Sequence, residues 1–212
     1  MFFRQFEVGN MGVFAYLLGP DAGGDGLVID PADDAEEIIA AAADSNVKIR
    51  YILNTHGHVD HVMGNSDMKE RTGAEIVIHE QDARALTHTP RSMLAMFGGK
   101  PSPPADRTVQ DGDMIEVRGI VLRVLHTPGH SPGAICLHGH GMVFTGDTLF
   151  VGGVGRTDLP GGSWPVMLRS IQTKLLTLPE DTIVFPGHNY GPSPRSTIGT
   201  ERMHNPFLQQ RS

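Results

Sequence analysis

Short apolar runs alternate with glycine, proline and acidic residues along the chain, and each run has the length of a single strand. These runs predict strands over residues 2–8, 13–18, 26–30, 50–54, 75–79, 114–117, 120–125, 134–138, 142–145 and 182–185. One predicted helix starts after Asp33 and Asp34 and runs to Asp44, and two more lie at about 64–71 and 164–176. Because strands and helices are interspersed in both halves, the pattern indicates an α/β (α+β) fold with two sheets packed face to face and helices outside.

One segment, residues 89–107, departs from this pattern because it carries several prolines, two adjacent glycines and an apolar group. The apolar group comprises Met93, Leu94, Met96 and Phe97. A proline-rich stretch of this length is typical of a binding loop or lid, and a packed surface connection is an equal alternative. The chain as a whole fits one domain over residues 1–212, in which residues 196–212 form a short C-terminal tail or helix.

Composition describes an ordinary globular protein, with 39% hydrophobic and 19% charged residues. The formal net charge of -7 argues against a nucleic-acid surface, which normally carries a basic patch. The single cysteine, Cys136, cannot form an internal disulfide, and no apolar run approaches the length of a membrane span. Arg4 and Glu7 interrupt the apolar N-terminus, which therefore lacks the core of a signal peptide. We expect a cytoplasmic protein that acts on a small molecule and binds neither nucleic acid nor membrane.

Four potential metal ligands stand close together directly after the predicted strand 50–54. They are His56, His58, Asp60 and His61, in the run Thr55-His56-Gly57-His58-Val59-Asp60-His61. Residues two apart in an extended segment face the same side, so His56 and His58 can bind one ion. Asp60 and His61 follow where the chain turns, and they can reach a second ion nearby. Because four such ligands rarely coincide at compatible spacing, this segment predicts a metal site.

Three further candidates, His130, Asp147 and His188, lie in matching positions after later predicted strands. Each has glycine or proline nearby to turn the chain, and strand ends can converge at one edge of a sheet system. Imidazole and carboxylate ligands predict two divalent ions, zinc first, with iron or manganese also suited. One ion is assigned to His56, His58 and His130, the other to Asp60, His61 and His188, with Asp147 as the bridge. Taken singly, His130 could be a turn residue, Asp147 a helix cap and His188 an exposed side chain.

These motifs resemble the metallo-β-lactamase superfamily over most of the chain. The resemblance implies a four-layer αβ/βα sandwich with two mixed sheets and a metal site at one edge of them. Asp30, in Val28-Ile29-Asp30-Pro31, matches a first acidic motif that supports the site and does not bind metal directly. Ala32 stands where the family usually has glycine.

Within that superfamily, the ending Ser196-Thr197-Ile198-Gly199 and then Asn205-Pro206-Phe207-Leu208 resembles the short bacterial members of the glyoxalase II-like hydrolases. Three further segments look most like these hydrolases in general. The segments are Gly146-Asp147-Thr148-Leu149-Phe150, Gly155-Arg156-Thr157-Asp158 and Gly187-His188-Asn189-Tyr190. The resemblance implies cleavage of a thioester such as S-lactoylglutathione by metal-bound hydroxide, because a catalytic metal lowers the pKa of water from 15.7 to roughly 7. Asp60 and Asp147 are the candidate catalytic residues, since they can assist proton movement while they bind metal.

The resemblance places two candidate substrate-binding residues, Arg156 and Tyr190. Tyr190 falls where larger glyoxalases contact glutathione, and Arg156 falls where they have lysine. Arg156 can pair with a substrate carboxylate, and a structural salt bridge is an equal alternative. The short sequence after Leu208 leaves little room for the helical extension that supplies basic residues in larger members. Metal-dependent hydrolysis is therefore the stronger expectation and glutathione specificity the weaker one.

Other activities of the same fold stay open. Sulfur dioxygenases of this superfamily share these motifs and use one iron, which here maps onto His56, His130 and Asp147. They commonly have cysteine where this chain has Val154. A lactone or β-lactam hydrolase is a further alternative, and a metal-binding module without activity is the remaining class.

Overall fold

The first half of the chain folds into a mixed sheet whose strands follow one another in sequence order. The computed structural model describes residues 1–90, 92, 94, 95 and 99–209. The strands of this first sheet are β1 (Phe2–Val8), β2 (Val13–Gly19), β3 (Gly24–Ile29), β4 (Val47–Leu53), β5 (Glu75–His79) and β6 (Arg107–Val109). Pairing is antiparallel from β1 to β3 and parallel from β3 to β6, so the carboxyl ends of β3, β4 and β5 point the same way.

The second half forms a second mixed sheet that is not in sequence order. Its strands are β7 (Met114–Val117), β8 (Ile120–His126), β9 (Ile135–Gly139), β10 (Met142–Gly146), β13 (Ile183–Pro186) and β14 (Ser196–Thr197), and the short pair β11 (Leu149–Phe150) and β12 (Gly153–Val154) stands apart. The spatial order is β14-β13-β10-β9-β8-β7. Because β13 pairs parallel to β10, these two strands also end at the same edge.

Helices cover the outer face of each sheet. They are α1 (Ala35–Asp44), α2 (Val59–Val62), α3 (Asn65–Thr72), α4 (Ala85–His88), α5 (Trp164–Ser170), which continues as a π-helix (Ile171–Leu175), and α6 (Ile198–His204). Apolar residues of α1, α3 and α4 pack on the first sheet, and those of α5, the π-helix and α6 pack on the second. Among the described residues, no helix is long and apolar enough to cross a membrane.

A third apolar cluster fills the space between the sheets. It combines Tyr16, Leu27 and Leu53 of the first sheet with Phe144 and Phe185 of the second. Side chains alternate across a strand, so the neighbouring Ile52 faces the helices while Leu53 faces the other sheet. The arrangement is therefore the predicted αβ/βα sandwich of two mixed sheets with helices outside.

Most predicted elements lie within three residues of their observed bounds, and the differences have simple causes. The predicted helix over 164–176 is present, but its second half is a π-helix. The short elements α2, α4, β6 and β14 carry too few residues to show a period and were not predicted. In the loop 89–107, Leu94 is buried, while Met93, Met96 and Phe97 lie outside the described residues. The C-terminal segment forms β14 and α6, and residues 210–212 lie outside the described part.

Candidate metal centre

The carboxyl ends of strands from both sheets meet at one edge of the sandwich. The run with His56 and His58 follows β4, while His130, Asp147 and His188 follow β8, β10 and β13. An antiparallel bridge between Val13 and His188 joins the two sheets at this edge. All seven side chains that the sequence nominates as metal ligands are brought together there.

Three histidines form a first cluster, defined as His56, His58 and His130. The Nε2 atom of His130 lies 2.8 Å from Nδ1 of His58 and 3.2 Å from Nε2 of His56. His56 and His130 are buried and His58 is half-buried. Three imidazole nitrogens that converge in this way are a suitable ligand set for a catalytic divalent ion.

A second cluster consists of Asp60, His61 and His188. Nε2 of His188 lies 3.1 Å from Nε2 of His61 and 3.4 Å from Oδ2 of Asp60. His61 and His188 are buried, whereas Asp60 is half-buried. Two imidazoles and a carboxylate again form a set that suits zinc, iron or manganese.

Asp147 lies between the two clusters. Its Oδ2 atom is 3.5 Å from Nε2 of His130 and 3.4 Å from Nε2 of His188, so one carboxylate oxygen faces a ring of each cluster. Its Oδ1 atom is buried and accepts no hydrogen bond from any described residue, although Nε2 of His61 is 3.3 Å away. A buried carboxylate oxygen without a hydrogen bond is costly, and coordination to a metal would satisfy it. The residues present therefore fit divalent ions at both clusters.

Burial and neighbouring charges together set the pKa values of the ionisable groups of this centre. Burial, reinforced by neighbouring His130, lowers the pKa of His58 to about 4, so its imidazole is neutral and free to bind metal at neutral pH. Burial would lower the pKa of His188 as well, but Asp147 and Asp60 outweigh it and raise that pKa to about 9. Burial would raise the pKa of Asp147, but the surrounding histidines hold it well below its ordinary value.

Asp30 supports the second cluster from behind. Its Oδ2 atom lies 3.0 Å from Nδ1 of His61, and its two oxygens accept hydrogen bonds from the backbone N–H and the hydroxyl of Thr55 at 2.8 and 2.6 Å. A carboxylate on Nδ1 leaves Nε2 of His61 free to face His188. The backbone of Asp30 has φ of 45°, a left-handed conformation that these contacts hold in place.

Asp82 has a related role that sequence analysis did not identify. Its Oδ2 atom accepts hydrogen bonds from the Gly57 N–H at 2.9 Å and the Ser131 hydroxyl at 2.6 Å, and its Oδ1 atom accepts one from the Gly133 N–H at 2.7 Å. This buried carboxylate joins the loop of His56 and His58 to the loop of His130. The available signal was an acidic residue shortly after β5, the same strand-end position that the other candidates occupy.

The two predicted substrate-binding residues lie on the wall of a cavity of about 790 Å³ that opens over both clusters. Arg156 pairs with Asp158 through two hydrogen bonds of 2.7 Å, and its carbonyl oxygen lies 2.8 Å from Nδ1 of His130. The ring of Tyr190 stacks on the ring of His188, with centroids 4.5 Å apart. The arginine side chain is thus held in a salt bridge, the alternative that the sequence left open.

A four-layer sandwich with paired histidine and aspartate clusters at its edge defines a metalloenzyme. Residues 8–188 match the family model of the metallo-beta-lactamase superfamily, and the chain belongs to that superfamily. The hydroxyacylglutathione hydrolase GloC of Haemophilus influenzae is 37% identical over 191 residues, which cover 87% of this chain and 88% of GloC. The mitochondrial persulfide dioxygenase ETHE1 of Homo sapiens is 32% identical over 198 residues, which cover 92% of this chain and 71% of ETHE1.

A solved structure gives the same fold. The crystal structure of BLEG-1 B3 metallo-beta-lactamase superposes with a TM-score of 0.89 at 33% identity, covering 99% of this chain and 100% of that one. These similar proteins carry three different activities in their names. Similarity therefore establishes a metal-binding, hydrolase-like enzyme of the superfamily and leaves its reaction to the site.

Proposed function

We propose that this chain is a metal-dependent hydrolase that holds two divalent ions, zinc first, and cleaves a thioester such as S-lactoylglutathione. The observation that carries the proposal is the position of Asp147, whose Oδ2 atom faces Nε2 of both His130 and His188. One carboxylate between two clusters suits a pair of ions that share a ligand. Similarity to GloC supports the choice of a thioester.

In this proposal the first cluster and the second cluster would each hold one ion, and Asp147 would be available as a ligand to both. Bound divalent ions supply a nucleophilic water at neutral pH and polarise the substrate carbonyl. Asp30 and Asp82 act on the ligands, the first by orienting His61 and the second by holding two ligand loops together.

The chain's own residues then handle the proton and the leaving group. The half-buried carboxylate of Asp60 lines the cavity and can accept the proton that the attacking water releases. Water adds to the carbonyl carbon, the carbon–sulfur bond breaks, and the products are a carboxylic acid and a thiol. A thiol has a pKa of about 8.5, so the departing thiolate needs no strong general acid. The partner in this proposal is a small-molecule thioester.

Two other reactions compete with this one. A persulfide dioxygenase is favoured by the similarity to ETHE1, and it would use one iron on His56, His130 and Asp147. A β-lactam hydrolase is favoured by the similarity to BLEG-1, and either it or a lactone hydrolase of the same fold would use the same pair of ions. The presence of Asp60 and His61 does not separate the first rival from the proposal, because both kinds of enzyme can carry them; metal content and substrate do.

The test measures metal content and activity on the same sample. We expect two ions per chain after purification without added metal, and release of thiol from S-lactoylglutathione. His188→Gln should lower the metal content to about one ion and abolish thioester turnover. His204→Gln, an exposed histidine of α6, is the matched control and should change neither. One iron per chain, with oxygen uptake on glutathione persulfide that survives His188→Gln, would refute the hydrolase proposal in favour of the dioxygenase. Turnover of a β-lactam or lactone without thioester turnover would favour the lactone or β-lactam hydrolase.

A further inference from the structure

Exposed apolar side chains gather at the mouth of the cavity over the two clusters. Met11, Tyr190 and Phe207 are 38%, 61% and 48% exposed, and all three line this cavity. Phe150 lies behind them, with its ring edge-on to Tyr190 at 5.4 Å between centroids. Single apolar side chains scattered over a protein surface need no explanation. A contiguous patch of exposed apolar side chains around one cleft is typical of a ligand site.

The apolar wall continues sideways, away from the clusters. A neighbouring groove of about 620 Å³ shares Val154, Arg156 and Phe207 with the cavity and extends to Trp164 and Pro206. The rings of Trp164 and Phe207 meet edge to face, with centroids 6.4 Å apart. The groove and the cavity are therefore adjacent and share one wall; we call the two together the channel, with metal ligands in the cavity, and the groove with its aromatic side chains the arm.

The charged residue on this arm is already compensated. Both hydrogen bonds of the Arg156 guanidinium described above go to the carboxylate of Asp158, which also lines the groove. A guanidinium in such a bidentate pair has less attraction left for a substrate anion. The arm therefore offers a substrate apolar contacts and one ion pair that carries no net charge.

On the basis of the proposed thioester hydrolysis, we infer that the substrate carries an apolar arm on its acyl group, an alkyl chain of several carbons or an aryl ring. The carbonyl would lie over the two clusters, and the apolar arm would extend along Val154 and Phe207 toward Trp164. The apolar part is assigned to the acyl side because the charged residues that line the arm, Arg156 and Asp158, are paired with each other and leave no free charge for the carboxylates of a thiol such as glutathione.

Turnover of a matched substrate series tests the inference. Thioesters of one neutral thiol, N-acetylcysteamine, would carry acetyl, lactoyl, hexanoyl or phenylacetyl groups. We expect kcat/KM to be about tenfold or more higher for hexanoyl than for acetyl, because each buried methylene adds to binding. Phe207→Ala should reduce this ratio severalfold. Met203→Ala, which removes a side chain that is 65% exposed and lies outside the channel, should leave the ratio unchanged.

A binding measurement keeps the inference separate from the proposed function. Trp164 is the single tryptophan of the chain, so its fluorescence reports on occupancy of the arm. We expect hexanoate to bind at least about tenfold more tightly than acetate. Tighter binding of hexanoate in a protein that cleaves no thioester would support the arm and refute the thioester reaction. Equal binding of the two acids, or a flat or lactoyl-first substrate series, would overturn the apolar arm and leave the hydrolase proposal standing.

Discussion

Replacing Asp82 by alanine removes an acceptor that two ligand loops share. The carboxylate accepts hydrogen bonds from the Gly57 N–H, the Gly133 N–H and the Ser131 hydroxyl, and all four residues are buried. A buried donor that loses its acceptor costs about 1–3 kcal/mol, so the loss of three predicts a fall of roughly 3–9 kcal/mol in the free energy of unfolding. That is a large fraction of the total stability of a typical domain, about 5–15 kcal/mol.

The milder variant Asp82→Asn keeps the side-chain volume and one acceptor, so it should fold and allow metal affinity to be measured. We expect the affinity for the ion of the first cluster to fall about 10–100-fold, as for other residues that orient metal ligands. Urea unfolding would give stability, and competition with a chromophoric chelator would give affinity.

Asp106→Asn is the matched control, because its carboxylate also accepts a backbone N–H, that of Ile76 at 2.7 Å, outside the metal centre. The control should lose stability and keep metal affinity. Unchanged metal affinity in a folded Asp82→Asn protein would refute the argument that Asp82 positions the two loops.

Three further predictions concern single sites. Gly155→Ala should prevent stable folding or metal binding, because an added Cβ would lie 1.8 Å from the carbonyl oxygen of Asp147. Gly153→Ala is the control and should be tolerated, because its Cβ would lie 3.7 Å from the nearest atom. Thermal melts of the two variants test this prediction. Burial raises the pKa of Cys136 to about 12, so its thiol should not react with an aromatic disulfide reagent until the protein is unfolded, and a fast reaction in the native state would contradict this. Burial and a stacked imidazole lower the pKa of His79, so its ring should titrate below 6.5 by NMR, and the stability this group contributes should be lost as pH falls below 6.5; a midpoint above 6.5 would be inconsistent.

The main strands were predictable because each is an apolar run with a clear end. The run before His56 shows both features. Because the other candidate ligands also follow strands with a clear end, the sequence alone could predict that ligands from distant parts of the chain lie together. The edge strands β6 and β14 were not predictable, since Arg107–Val109 and Ser196–Thr197 show no strand pattern of their own. Pairing with β5 and β13 creates them.

The role of Asp82 could not be predicted from a single sequence. Its partners Gly57, Ser131 and Gly133 use backbone N–H groups and a hydroxyl, which carry no residue-specific pattern. Two of the three are about 50 positions away along the chain, so only the folded chain brings them within reach. Arg156 is the opposite case, because its salt bridge with Asp158 joins residues two apart and was already one of two explicit alternatives.

Each cluster takes ligands from both halves of the chain, and this affects the order in which a newly made protein can mature. Strands β1 to β6 are consecutive, so the first sheet can pair while the ribosome is still making the second half. A nascent chain at that stage presents His56, His58, Asp60 and His61 without the later ligands. An ion captured then would have an incomplete shell and would exchange freely. The first cluster is complete only when His130 follows β8, and the second only when β13 delivers His188, so the two ions would be captured in that order as the second sheet forms.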